Sequence, residues 1–274
     1  YDETRDMKGC LLLPGLITCH CHAPMVLLRG VGSDLPLQEW LFDKIMPIES
    51  MMNEQDIAAG TDWAMMEMLA CGTTSFTDMY DYSWVTAKAV AEAGMKVNLC
   101  RPLVCIDPLI LGKECVRIQE AVDFYNEYNG MSKGRVLVDF GIHSEYLSTV
   151  KSVEYFSREC QKVAGRIHVH LSETQREHEE CKAKYGMTPA AWFNRLGVFD
   201  SPTYAAHCVH CEENDLVLFK QKDVTIVHNP SSNMKLGSGF APIGKALDMG
   251  INVTVGTDGA ASNNRLDMFS EMRL

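Results

Sequence analysis

Short apolar runs alternate along this chain with stretches of helical periodicity, and most of the runs end in polar residues. They lie at 11–17, 73–77, 96–104, 136–142, 166–171, 204–206, 224–227 and 252–256. The segments between them carry helix signals. Asn53 is placed to cap a helix that has Asp56 in its first turn and stops at Gly72. Another helix ends at Gly94, one spans 114–128, and one opens at Thr188-Pro189, where proline suits the first turn. Strands separated by helices run parallel, because a parallel pair needs a crossover connection. Eight such units in 274 residues predict an α/β fold of the (β/α)8 TIM-barrel type, in preference to an open doubly wound sheet. No repeat, low-complexity stretch or linker divides the chain, so residues 1–274 read as one barrel domain.

Composition narrows the function classes. Twenty-five basic against 36 acidic residues give a net charge of −11. That balance argues against a nucleic-acid partner and against a basic membrane-surface protein. No apolar run approaches the roughly 18–20 residues of a membrane span. Eleven cysteines, scattered from Cys10 to Cys211, fit a reduced, cytoplasmic setting better than a disulfide framework. A small-molecule substrate and a homo-oligomer are the expected partners.

In a parallel barrel the C-terminal strand ends share one face, and that face carries the active site. Histidines gather there: His20 and His22 after the first run, His143 after the fourth, His168 and His170 in the fifth, His207 and His228 after the sixth and seventh. Asp258 follows the eighth. Residues i and i+2 of an extended chain point the same way, so His20 and His22 can share one metal ion while Cys19 and Cys21 face elsewhere. His168 and His170 share a face by the same parity, and parity alone leaves open which of them is a ligand. Three imidazoles and the Asp258 carboxylate suit Zn²⁺, with Fe²⁺ or Mn²⁺ also compatible. Glu173, just past the fifth run, can reach over the open coordination position as a proton shuttle. Asp78 is read as a helix N-cap.

At these residues the sequence resembles the amidohydrolase superfamily, and more narrowly its methylthioadenosine/S-adenosylhomocysteine deaminase branch. Relatives in that branch act on chlorotriazines, guanine and cytosine. The matching segments are PGLITCHCHAPMVLLRG (14–30), PLQEWLFDKIMPIE (36–49), CGTTSFTDMY (71–80), HVHLSET (168–174), AAHCVH (205–210), HNPSSNMKLGSG (228–239) and GTDGAASNN (256–264). The resemblance implies His20, His22, His170 and Asp258 as metal ligands. It implies Glu173 as the proton shuttle, with His207 beside the reacting water and Asp258 accepting its proton. It also implies that His143 contacts substrate, that Glu49 binds ribose hydroxyls, that Trp40 covers the purine, and that Arg101 faces the far end of the substrate.

Two segments depart from the pattern. The strand-four motif reads GIHSEYLST, where the family has proline and small residues around the histidine. A second arginine after Arg101 is not obvious, with Lys113 and Arg117 as imperfect candidates. The family's small β-sandwich, built from both termini, has no counterpart here, so the chain is expected to be part of a longer one. The function implied is metal-dependent hydrolytic deamination of an adenine nucleoside (methylthioadenosine, S-adenosylhomocysteine or adenosine). The rivals are the same chemistry on guanine, cytosine or a chlorotriazine, and a truncated metal-binding chain without catalysis.

Overall fold

The computed structural model describes residues 3–274. Eight parallel strands follow one another around a sheet in sequence order: β1 (Leu16–Cys21), β2 (Thr73–Met79), β3 (Lys96–Leu103), β4 (Val136–Ile142), β5 (Ile167–Leu171), β6 (Thr203–His207), β7 (Thr225–His228) and β8 (Val253–Val255). The ring closes between β8 and β1 by bonds just beyond the short last strand. The Asp258 N–H donates to the His20 carbonyl at 3.0 Å, and the Thr257 N–H to Thr18 Oγ1 at 2.9 Å. The fold is the expected TIM barrel.

The first strand lies later than its hydrophobic run suggests. Leu11 and Leu12 are more than four-fifths exposed, and pairing begins at Leu16. The inward positions of β1 are Thr18 and His20, both fully buried. A hydrophobic pattern passes over such a strand because its buried side is polar. The helix signals are read more directly. Asn53 caps the helix Glu54–Ala70 in a reciprocal capping box with Asp56. Gly94 ends the helix Ser83–Ala93 in the left-handed conformation that glycine adopts at little cost. Thr188 caps the helix Pro189–Arg195.

The apolar core lies between the sheet and its helices. Val97, Leu99, Val136, Val138, Phe140, Ile167 and Val169 point outward into it and are almost wholly buried. The alternate strand positions point into the barrel and are largely polar. Asp139 accepts hydrogen bonds there from Arg166 Nε at 2.8 Å and the Tyr204 hydroxyl at 2.7 Å. Asp78 shares the parity of the outward Phe76. Its carboxylate accepts the Ala23 N–H at 2.6 Å, capping the short 3-10 helix Ala23–Leu28 from across the sheet. Among the described residues no helix is long and apolar enough to cross a membrane.

That 3-10 helix follows the paired histidines directly, and the helix Glu54–Ala70 packs against it at Gly60. A Cβ at Gly60 would sit 2.8 Å from the Pro24 carbonyl oxygen and 2.9 Å from Pro24 Cα. Glycine-to-alanine inside a helix ordinarily stabilises by about 0.5–1 kcal/mol. Here the clash is with backbone and outweighs propensity. Gly60→Ala is expected to destabilise the fold by roughly 1–3 kcal/mol, the usual cost of overpacking. A thermal melt showing an unchanged or raised Tm would contradict this packing.

Candidate active site

His20, His22, His170 and Asp258 converge where β1, β5 and β8 end. His22 Nε2 lies 3.3 Å from His170 Nε2 and 3.3 Å from Asp258 Oδ1, and His20 Nε2 lies 3.4 Å from the same carboxylate oxygen. The second ring nitrogens explain this aim. His22 Nδ1 is 2.5 Å from the Met79 carbonyl oxygen, and His170 Nδ1 is 2.8 Å from the His143 carbonyl oxygen. A carbonyl only accepts, so each Nδ1 carries a proton and each ring turns its Nε2 inward. His20 Nδ1 sits 2.9 Å from His168 Nε2, and His168 Nδ1 sits 3.9 Å from Cys100 Sγ. That chain is consistent with protons on both Nδ1 atoms, leaving His20 Nε2 free as well. The Nε2 of His20 is buried with no hydrogen-bond partner.

These donors fit a divalent cation. Lone pairs facing one another across 3.3 Å, beside a buried carboxylate, repel unless a positive charge joins them. Burial lowers the pKa of His20 to about 4 and that of His170 well below its usual value, so both rings are neutral at pH 7. Burial, the largest influence, would raise Asp258, but the imidazoles of His20, His22 and His207 gathered beside it hold its carboxyl well below the usual range. Three neutral nitrogens and one anionic oxygen form the borderline set that zinc favours. The same residues supply two overlapping triads, His20–His22–His170 and His20–His207–Asp258. His168 lies deeper, stacked on Tyr204, and its free nitrogens are already used. Of the two histidines on β5, His170 is therefore the one available to an ion.

Glu173 and His207 flank this cluster, with His207 Nε2 3.6 Å from Glu173 Oε2. His207 Nδ1 is 2.8 Å from Asn233 Oδ1, so it donates to the amide and Nε2 keeps its lone pair. Burial pushes the Glu173 carboxyl well above the usual carboxylate range, and the nearby Asp258 and Glu177 charges push the same way. The two buried carboxyls are thus pushed in opposite directions, Glu173 towards the neutral acid and Asp258 towards the anion, a division suited to opposite proton-transfer roles. His207 and Asp258 hold φ values of +73° and +58°, left-handed geometry that is uncommon for non-glycine residues.

Trp40, Glu49, His143, Glu173, His207 and Asp258 line one cavity at this strand-end face. Trp40 sits in a π-helical turn, Trp40–Ile45, with its indole N–H on the Val31 carbonyl at 3.1 Å. Glu49 accepts a hydrogen bond from the Tyr80 hydroxyl at 2.6 Å. Arg101 is placed differently from expectation. It has the outward parity of Val97, Leu99 and Leu103, whereas Pro102 and Val104 line the cavity. Its guanidinium is held by Glu120 at 2.9 and 3.0 Å and by Asp81. Arg117 lines the cavity instead, also bonded to Asp81. Sequence reasoning did not single out Tyr80, Asn233 or Ser232, whose hydroxyl donates to Asp258 Oδ2 at 2.6 Å. All three lie inside the quoted motifs, which was the available signal.

Known proteins are similar to this chain over nearly its whole length. A methylthioadenosine/S-adenosylhomocysteine deaminase of Acetivibrio thermocellus is 42% identical over 274 residues, covering all of this chain and 62% of that protein. The chain therefore spans less than two thirds of that relative's length. An adenosine deaminase structure from Xanthomonas campestris with bound zinc superposes with a TM-score of 0.85 at 33% identity, covering 95% of this chain and 59% of that one. A guanine deaminase from C. acetobutylicum superposes with a TM-score of 0.84 at 23% identity over 95% and 64% of the two chains, a likeness of fold. The amidohydrolase family model matches residues 11–274. The chain belongs to the amidohydrolase family.

Proposed function

We propose that this chain carries the active site of a metal-dependent hydrolytic deaminase acting on an adenine nucleoside. The observation that carries the reading is the placing of two buried carboxyls, Glu173 and Asp258, 3.6 and 4.0 Å from His207 Nε2 beside converging imidazoles, in a cavity that also holds Glu49. The names of the relatives from Acetivibrio thermocellus and Xanthomonas campestris support the same chemistry. His20, His22, His170 and Asp258 would hold the ion. When bound, such an ion lowers the pKa of water towards neutrality and acts as a Lewis acid. We assign zinc as its identity from the donor set and from the zinc in the Xanthomonas campestris structure.

The chain's own residues then move the protons. His207 orients the attacking water through its Nε2, and Asp258 takes one proton from that water. Glu173, already protonated, gives its proton to the ring nitrogen next to the amino-bearing carbon. The new C–O bond makes that carbon tetrahedral. As the C–N bond breaks, Asp258 passes its proton to the departing amine and the second water proton returns to Glu173. Ammonia leaves and both carboxyls regain their starting states. Trp40 closes over the base, His143 contacts it, and Glu49, braced by Tyr80, accepts the ribose hydroxyls. Arg101 is already paired with Glu120 and Asp81, so it offers no free charge to a substrate carboxylate. Arg117 is the arginine at the cavity wall.

Three outcomes test the reading. His20→Ala should lose bound metal and activity together, measured by elemental analysis and ammonia release; a fully metallated, active variant would remove His20 from the ligand set. Glu173→Gln should keep its metal and lose kcat by roughly 10²–10⁴-fold, the usual worth of general acid–base catalysis. Loss of the ion in that variant would make Glu173 a ligand instead. Glu49→Ala should lower kcat/KM for a nucleoside by about one to two orders of magnitude, because each charge-assisted hydrogen bond contributes roughly 1.5–3 kcal/mol. Parallel kinetics on adenosine, methylthioadenosine, S-adenosylhomocysteine, guanine and cytosine complete the test. A free base as the best substrate, with Glu49→Ala silent, would replace the nucleoside reading with the nucleobase one.

A further inference from the structure

The strand-four motif that departs from the family pattern places Glu145 beneath the cavity rim, between His143 and Tyr146, which both line it. Glu145 is 3% exposed and lies within side-chain hydrogen-bonding reach of Glu177 of the helix Gln175–Tyr185, which is also 3% exposed. One oxygen of each is buried without a hydrogen-bond partner: Oε2 of Glu145 and Oε1 of Glu177. Two ionised carboxylates can only accept, so neither would satisfy the other. A single proton between them satisfies both.

The surroundings decide where that proton sits. Glu177 Oε2 already accepts the backbone N–H of Glu173 at 3.1 Å and of Thr174 at 3.4 Å. Those bonds favour the anion on Glu177 and leave Glu145 as the donor. Besides Glu177, the titratable groups near Glu145 are Glu180 and Cys181 on the same helix and Tyr146 on its own loop. None of these is cationic, so every charged neighbour favours the neutral acid. Burial is the larger cause of the raised Glu145 carboxyl, with the Glu177 charge next.

We propose that Glu145 is a positioning residue: as a buried, protonated acid it donates a hydrogen bond to Glu177, which in turn fixes the backbone of Glu173. The clamp ties the loop after β4, with His143 and Tyr146, to the loop after β5. It reaches the segment that carries Trp40 as well, since Gln38 Nε2 donates to Thr174 Oγ1 at 2.9 Å and Thr174 caps the helix that bears Glu177. The role assigned to Glu173 rests on the deaminase reading; the shared proton does not.

The test separates the two. Glu145 is protonated in the folded chain and ionised in the unfolded chain at neutral pH. Its contribution to stability is therefore complete below the ordinary carboxylate pKa and is lost as pH rises towards the raised one. Glu145→Gln keeps a neutral N–H donor for Glu177 and has no proton to lose. Its Tm should match wild type near pH 4.5 and exceed it increasingly at higher pH, by about 4 °C or more at pH 8.5. In a Glu173→Gln background, infrared spectra at pH 7 should show a protonated carboxyl stretch that Glu145→Gln abolishes. Parallel Tm profiles and no lost band would overturn the proposal, whatever the enzyme's substrate proves to be. For the positioning role, Glu145→Ala should lower kcat about 10²-fold with KM little changed, as expected of a misplaced acid, and Glu145→Gln should restore most of it. Equal kcat in the alanine variant and wild type would leave Glu145 without that role. Should the alanine variant not fold, the glutamine variant decides alone: kcat more than tenfold below wild type would count against positioning by a neutral donor.

Discussion

Bringing four candidate metal-ligand side chains from three separate strands to one point requires that each be aimed before anything binds. Free imidazoles would rotate and protonate. Here each ring is fixed by its far nitrogen: His22 by the Met79 carbonyl at the end of β2, His170 by the His143 carbonyl just past β4, and His20 by His168 within β5. The barrel's backbone thus sets two of the tautomers and the His168 side chain the third. The Nε2 lone pairs that result face inward around the Asp258 carboxylate with no protein donor between them. That unsatisfied arrangement is the constraint on which the rest of the site depends, and a cation is what satisfies it.

Burial then divides the titratable groups by role. The same low-dielectric mouth that keeps His20 and His170 neutral pushes Glu173 towards the neutral acid, while the imidazoles draw Asp258 towards the anion. The two carboxyls are driven in opposite directions without any difference in chemistry between them. The left-handed backbone at His207 and Asp258 shows that the scaffold holds some of these groups in unfavourable conformations. The loops around the mouth supply the rest. Trp40 comes from a π-helical turn, and Glu49 from the short helix Met46–Glu49 that follows it.

A good part of this was legible in the chain itself. The alternation of apolar runs and helix signals determined the parallel barrel, because crossover connections leave few other solutions. The i, i+2 spacing of His20 and His22 determined that they share a face, and the positions of His170, His207 and Asp258 at strand ends determined which rim they occupy. Caps at Asn53 and Thr188 were readable because they act within a few residues of their own sequence.

Three-dimensional structure alone decided what depends on neighbours distant in sequence. The start of β1 escaped the hydrophobic pattern because its inward side chains, Thr18 and His20, are polar. Parity along β3 turns Arg101 away from the cavity, but only the packing of the helix Val116–Tyr128 brings Glu120 against it. The choice between His168 and His170 rested on Tyr204 and Cys100, which come from other strands. Glu145 and Glu177 meet only because β4 and β5 are adjacent in the barrel. A sequence determines spacing and parity along one strand; which groups share a proton, a charge or an ion is determined by distances between strands, and those exist only once the barrel has closed.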